Sequence, residues 1–416
     1  MALTPPLAPA AYSTSDFRIA EEPARRRDST FKQYQALVSS IDFKQQTIRC
    51  TSCIEESGVS DDSVDSSSAE EDSEEGNDEF NVKYDKLILA PGCETNTFGT
   101  PGVKEYALLM NAGPDARRLR ERILECLEWA SLPSLMDEER RGLLHFVVVG
   151  GGPTGIRLAA EIDELIQGPL GAVYPRLQKL CTVSIYDVAD RLPGQSGEKL
   201  SEYAREKFKD REGVKVRTGK HIQEIKRGRM VVRGEGDVPF GVLVWAAGNT
   251  PGELVQGLQC RKSEGSERIL TDRWLRVLTL HSQGGAKMRK EVIKNVYALG
   301  DAADMLDHEL PTTAEVAVQK AMWLTKHLLE DTAGKSSSGG RSEPQERPFS
   351  YQQTNMVACI GLSDGVAQGK KDCMGAGLRL PCESGSLGWM MGWRKRVVVA
   401  VDWAANLVDG REFAGT

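Results

Sequence analysis

The chain has 416 residues, enough for two or three domains with substantial cores. Its 40% hydrophobic and 27% charged content excludes a fibrous or multi-span membrane protein, and a net charge of −7 gives no general sign of nucleic-acid binding. That charge is unevenly placed: residues 55–79 hold twelve acids and no base, so 53 Lys and Arg stand against 48 acids elsewhere, a body at +5.

Residues 34–49 read as two short strands around a polar turn at Lys44 to Gln46. Cys50 and Cys53 form a single CxxC; without a second pair or a nearby His it reads as two thiols at a strand end, and no metal site is expected. The nine scattered cysteines do not form a disulfide framework, which points to a reducing compartment. Residues 55–79, rich in Ser, Asp and Glu, have too little apolar surface to offset ordering entropy and are expected to be a disordered acidic loop. Residues 82–90 follow as one buried strand. The N-terminus lacks the basic and apolar regions of a signal peptide, and no apolar run reaches 18 residues.

Residues 114–131 carry Leu119, Ile123, Leu124, Leu127 and Ala130 at helical spacing, and a second short helix is expected over 134–142. A strand at 143–149 leads into a Gly-rich turn at 150–155 and a helix at 156–167. Strand 182–187, helix 197–209, strand 215–217, a meander through Val232 and strand 241–247 come next. This alternation predicts a parallel sheet with helices on both faces. Residues 332–347 read as a flexible Ser/Gly linker.

The glycine turn carries the sharpest chemistry. Gly150, Gly152 and Gly155 satisfy GxGxxG, after a buried strand and before a helix, with Gly151, Pro153 and Thr154 between them. Gly150 makes the tight turn, Gly152 admits a pyrophosphate to the backbone, and Gly155 lets helix and strand pack closely. Asp187, closing the next strand, is the expected ribose acid; it favours NADH over NADPH, and Arg191 weakens that preference.

From these residues a resemblance emerges. The stretch RRGLLHFVVVGGGPTGIRLAAE at 140–161 resembles the type II (alternative, non-proton-pumping) mitochondrial NADH:ubiquinone oxidoreductases, especially fungal ones. Similar segments are Leu3 to Pro5, residues 17–27, YDKLILAPG at 84–92, NTFGTPG at 96–102, VWAAGN at 244–249, VYALGD at 296–301 and PTTAEVA at 311–317. The run from Trp393 to Arg411 is similar as well. Several belong to all flavoproteins with two dinucleotide-binding domains; the 311–317 segment and the C-terminal pattern are more specific.

The resemblance implies an α/β chain with two Rossmann-like dinucleotide-binding domains and a C-terminal membrane-associating region. It implies flavin-domain segments at 1–110 and 284–331, an NADH-binding domain at 111–283, a linker at 332–347 and a quinone and membrane region at 348–416. It also implies electron flow from NADH through FAD to a membrane quinone, peripheral attachment to the mitochondrial inner membrane, and compatibility with a homodimer. Ala247 and Gly248 join the glycine turn and Asp187 on the NADH side. Thr4, Pro5, Ala90, Pro91, Gly92, Gly300, Asp301, Ala314, Glu315 and Val316 are implied for FAD. Gln319, Trp389, Trp393, Arg394 and Trp403 are implied for quinone and membrane. No residue is assigned as catalytic.

Four departures from the family pattern stand out. The opening strand–GxGxxG–helix unit that holds the FAD pyrophosphate is expected to be missing. Arg157 replaces a Glu near the nicotinamide, Glu315 replaces a Gln beside the flavin, and residues 368–388 do not match. A catalytically impaired NADH-binding remnant and another two-dinucleotide-domain flavoprotein reductase therefore remain alternative readings.

Overall fold

The computed structural model describes residues 32, 34–53, 79–110, 113–190, 206–209, 211, 213–280, 291–308, 310–336, 347–352, 356–360, 364–368 and 373–375. The expected acidic loop, Thr4, Pro5, Arg191, Trp389, Trp393, Arg394 and Trp403 lie outside them, as does nearly all of the 368–388 segment.

The chain builds one body, leaves it to build a second, and returns. The second body is organised on a five-stranded parallel sheet in the order Leu108–Leu109, Val242–Trp245, His145–Val149, Thr182–Tyr186, Val214–Arg217. Its central strands are Val-rich because both faces are covered. On one face, Phe146, Val148, Val183 and Ile185 pack against helices Gly113–Ala130 and Pro153–Leu165, through Leu119, Ile123, Leu127, Leu158 and Ile162. The first helix stops at Ala130, and Asp137–Leu143 follows as a short helix, close to expectation.

The other face departs from the expected helices. There Val147, Val149, Tyr186, Leu243 and Trp245 meet Ile225, Met230, Val232 and Phe240. These come from a three-stranded antiparallel meander, Ile222–Lys226, Arg229–Val232 and Gly236–Pro239. The two short links between its strands turn at Gly228, Gly234 and Gly236, all with φ between +72° and +83°, a region in which other residues are strained. Runs of four or five residues separated by such turns fold as hairpins before a helix can nucleate.

The first body carries a mixed sheet in the order Ala303–Met305, Ile269–Thr271, Arg276–Leu278, Val292–Ala298, Leu87–Leu89. The single strand expected over 82–90 is in fact two. Glu79–Lys83 joins an antiparallel sheet with Ala36–Asp42 and Thr47–Ser52, whereas Leu87–Leu89 runs parallel to Val292–Ala298. The polar Asp85-Lys86 step between them lets the chain change sheets. Helix Ala314–Ser336 covers this sheet and runs into the first residues of the segment expected as a linker, 332–347. Its Leu324 packs with Leu275, Tyr297, Met305 and Phe349.

A two-stranded ribbon, Cys93–Thr95 with Asn249–Pro251, ties the bodies together. Trp245 Nε1 donates to the carbonyl of Asn96 across the same joint (2.9 Å). Among the described residues no helix is long and apolar enough to cross a membrane, and Cys50 and Cys53 are free thiols with no metal-ligand cluster.

Candidate nucleotide and flavin sites

Strand His145–Val149 ends at Gly150, whose φ of +113° turns the chain sharply. A Cβ at Gly150 would lie 2.8 Å from the carbonyl oxygen of Ala246, and one at Gly155 only 1.9 Å from that of Gly150. Both positions therefore require glycine for packing within the protein itself. Gly152 differs: a Cβ there would meet nothing within 4 Å. This open approach lies at the start of helix Pro153–Leu165, which has no capping side chain and no acid in its first turn. A bare helix N-terminus beside open backbone suits a pyrophosphate, because the peptide dipoles and amide hydrogens favour negative charge there.

Asp187 lies just past Tyr186, next to this turn. One carboxylate oxygen accepts the Gly151 N–H (2.5 Å) and the other accepts the Ala189 N–H (2.8 Å). The acid thus fixes the glycine turn and retains lone pairs for a ribose diol. The residue pair expected on the nicotinamide side, Ala247 and Gly248, stands beside the interbody ribbon. Gly248 takes φ +70°, and a Cβ there would strike the Phe98 ring at 2.5 Å. Its glycine is thus demanded by Phe98. Thr154 is partly buried within the helix's first turn.

In the first body, two implied FAD segments converge. The Leu299 N–H donates to the Leu89 carbonyl (3.0 Å), so Ala90-Pro91-Gly92 and Gly300-Asp301 leave adjacent parallel strands side by side. Cys93 Sγ donates to the Asp301 carbonyl (3.0 Å). Gly92 and Gly300 both take positive φ, +81° and +79°, and the space over Gly300 is open. Burial raises the Asp301 carboxyl above the usual range, and the nearby Arg268 charge opposes that shift. Arg268 pairs with Asp304 (3.4 Å), yet its Nε–H is buried with no hydrogen-bond partner. An open glycine, a half-buried acid and an orphaned guanidinium N–H fit the polar ribityl and phosphate portions of a flavin nucleotide.

Ala314 and Val316 are buried at the start of helix Ala314–Ser336, where the Val316 N–H donates to Thr313 Oγ1 (3.4 Å). The Glu315 carboxylate is engaged within the protein: it accepts Gln319 Nε2 (3.2 Å) and hydrogen-bonds Tyr351, whose phenol is raised mainly by burial and then by Glu315. Gln319 also donates to the Gln352 carbonyl (2.8 Å) and accepts the Gln352 N–H (3.1 Å), tying residues 347–352 to the helix. Arg157 likewise does not stand alone, since its Nε–H donates to Glu161 one turn along the helix (2.9 Å).

Sequence reasoning missed several polar groups. Lys320 is buried, its ammonium near Asp301 and Asp304. Asp304 gathers Ser263 (2.9 Å), Ser266 (2.8 Å) and Arg268. Glu235 holds Lys220 (2.8 Å) and Tyr186 (3.2 Å) beside Asp187. No linear motif joins these partners; only the polar residue at an inward-facing helical position, Lys320, leaves a trace in the sequence.

The chain matches the pyridine nucleotide-disulphide oxidoreductase family over residues 6–321. It is 31% identical over 328 residues to the external alternative NAD(P)H-ubiquinone oxidoreductase B2, mitochondrial, of Arabidopsis thaliana, covering 77% of this chain and 51% of the relative. A probable NADH dehydrogenase of Dictyostelium discoideum is 28% identical over 415 residues, covering 99% and 83%. In fold, the chain matches NDH2 of Plasmodium falciparum, solved in complex with NADH. That match has TM-score 0.80 at 19% identity, over 99% of this chain and 92% of that one. The chain spans about half the length of the external plant enzymes it matches. It belongs to the pyridine nucleotide-disulphide oxidoreductase family and is a homologue of the alternative NAD(P)H-ubiquinone oxidoreductases.

Proposed function

We propose that this chain is an NADH:quinone oxidoreductase of the alternative, non-proton-pumping kind. NADH binds along residues 150–155 with its ribose on Asp187, FAD lies along Ala90-Pro91-Gly92 and Gly300-Asp301, and a membrane quinone is the acceptor. The observation that carries the reading is the pairing of two sites. One is an uncapped helix N-terminus beside the open Gly152, with Asp187 one strand away. The other is an open Gly300 beside a half-buried Asp301.

FAD, when bound, supplies the two-electron chemistry between nicotinamide and quinone. The chain's own residues supply placement. The first turn of helix Pro153–Leu165 neutralises pyrophosphate charge, and Asp187 orients the ribose. Asp301 and the Arg268 Nε–H hold the flavin's polar tail, and the start of helix Ala314–Ser336 offers its dipole to negative charge developing nearby. The mitochondrial names of the relatives support attachment to the mitochondrial inner membrane, through the C-terminal region around Trp389, Trp393, Arg394 and Trp403. Gln319 borders the quinone side, and a homodimer accommodates the same arrangement.

The test is an absorption spectrum of the purified 416-residue protein. Flavin bands near one per chain, bleached by NADH and restored by a short-chain quinone, are the expected result. A colourless protein that binds NADH would replace this reading with that of an NADH-binding remnant.

A further inference from the structure

The strands Thr182–Tyr186 and Val214–Arg217 run parallel, and their continuations stay paired beyond the sheet. The Asp187 N–H donates to the Arg217 carbonyl (3.0 Å), the Lys220 N–H to the Asp187 carbonyl (2.9 Å), and the Gly219 N–H to the Ala189 carbonyl (2.8 Å). Residues 218–220 therefore line the crevice outside the carboxyl ends of the strands, on the side of Asp187 away from the glycine turn. In a parallel α/β sheet that crevice receives the ligand. Lys220 is thus bonded through its backbone to the ribose acid's own backbone, which leaves its side chain within reach of that ribose.

That ammonium is already taken. Its Nζ donates to one oxygen of Glu235 at 2.8 Å, while the Tyr186 hydroxyl donates to the other at 3.2 Å. Glu235 comes from the hairpin turn between Arg229–Val232 and Gly236–Pro239, a different layer of the fold. The pair is only about a quarter exposed, 30% for Lys220 and 21% for Glu235, so water screens it less than an open surface pair.

We propose that Glu235 is a specificity-determining residue for the nicotinamide cofactor: it holds Lys220 closed, withholds that ammonium from a 2′-phosphate, and so reinforces the choice of NADH over NADPH. This rests on the nucleotide-site reading above. The two cofactors differ only in the phosphate on the adenosine ribose, and binding that phosphate requires a cation near the ribose acid. Lys220 is a cation whose backbone adjoins that acid, and Glu235 adds a negative charge while occupying its ammonium. Replacing Glu235 by an uncharged residue removes one negative charge and releases one positive charge at the same place.

The experiment is calorimetric titration of the full chain with NAD+ and with NADP+ at low salt, where the readout is the ratio of the two Kd values. Glu235→Gln is expected to shift that ratio toward NADP+ by about tenfold, the size of one charge-assisted phosphate contact. The shift should weaken with added salt. Adding Lys220→Met should restore the native ratio, and Tyr186→Phe, which leaves the ion pair in place, should not move it. A merely structural tie between hairpin and sheet would change folding stability without changing the ratio. Glu235→Ser provides the same readout if the Gln variant does not fold. A native ratio in the Glu235 variants, or a shift that survives Lys220→Met, overturns the proposal. Failure of the native chain to bind NAD+ at all would instead overturn the nucleotide-site reading, and this proposal with it.

Discussion

Arg157 and Glu161 form an ion pair on one helix: the Arg157 Nε–H donates to the carboxylate at 2.9 Å, and the Glu161 side chain is fully buried. The Arg that departs from the family pattern is therefore the ion-pair partner of a buried carboxylate on its own helix. A buried carboxylate that loses its guanidinium is costly, because the low-dielectric surroundings cannot replace it. Arg157→Met is expected to destabilise the chain by about 3 kcal/mol or more. Arg157→Glu should cost at least as much, since it places a second acid one turn away. The double variant Arg157→Met with Glu161→Gln should regain most of the loss. Urea denaturation of the three variants checks this, and additive losses in the double variant would show that the two groups act independently.

Two of the turn glycines should separate stability from binding. At Gly155 an added methyl would overlap the Gly150 carbonyl at 1.9 Å, and helix and strand would have to move apart. Gly155→Ala is expected to cost roughly 3 kcal/mol or more. At Gly152 the same methyl meets no protein atom, so Gly152→Ala should fold with a Tm within a few degrees of native. Its loss should appear in NADH affinity, by tenfold or more, because the space it fills is the one the proposed site gives to the pyrophosphate. Thermal melts paired with NADH titrations distinguish the two variants; equal behaviour in both assays would contradict the assignment.

Much of this was legible in the chain, for identifiable reasons. Gly150 and Gly155 could be read because tight turns and close helix–strand contacts leave little choice of residue. Asp187 could be placed because a strand of alternating apolar residues must end somewhere, and an acid ended it. The meander over the second sheet face was less legible: residues 222–239 show short period-2 runs, but nothing local says which face of which sheet they cover. The break at Asp85 and Lys86 was hidden by the apolar residues on either side. The polar clusters around Asp304 and Glu235 were invisible, since their members lie up to 49 positions apart and meet only through tertiary packing.

His145 predicts an acid limb in stability. Its ring lies between the Pro239 carbonyl (Nδ1, 2.7 Å) and Ser184 Oγ (Nε2, 2.7 Å). Those partners suit a neutral ring that donates from Nδ1 and accepts the serine hydroxyl. Burial holds its pKa below the ordinary 6.5, outweighing the Pro239 hydrogen bond. The stability this contributes is present above pH 6.5 and is lost as pH falls through the depressed folded value, because the unfolded chain takes up the proton first. His145→Gln should therefore be less stable than the native chain by about 1–2 kcal/mol at pH 7.5. The gap should shrink on acidification to pH 5. Denaturation curves at several pH values measure it, and a gap independent of pH would remove His145 from the acid limb.

Lys320 predicts the opposite end of the pH range. Lys320, on helix Ala314–Ser336, is 2% exposed, and its ammonium donates to the Ala303 carbonyl at 3.3 Å. The charges acting on it are Asp304 and Asp301, which favour its proton, and Arg268, which opposes it; burial is the largest influence and pushes the pKa down to about 8. Between about pH 8 and the ordinary lysine value of 10.5, the unfolded chain keeps a proton that the folded chain has released. Folding stability therefore rises with pH across that window, and the contribution is lost as pH falls back through about 8. Lys320→Met lacks this linkage. Native and variant should differ in a pH-dependent way between pH 7.5 and 10, the native chain gaining on the variant as pH rises. Parallel stability curves across that range would show no Lys320 titration, and would place its folded pKa at the ordinary value.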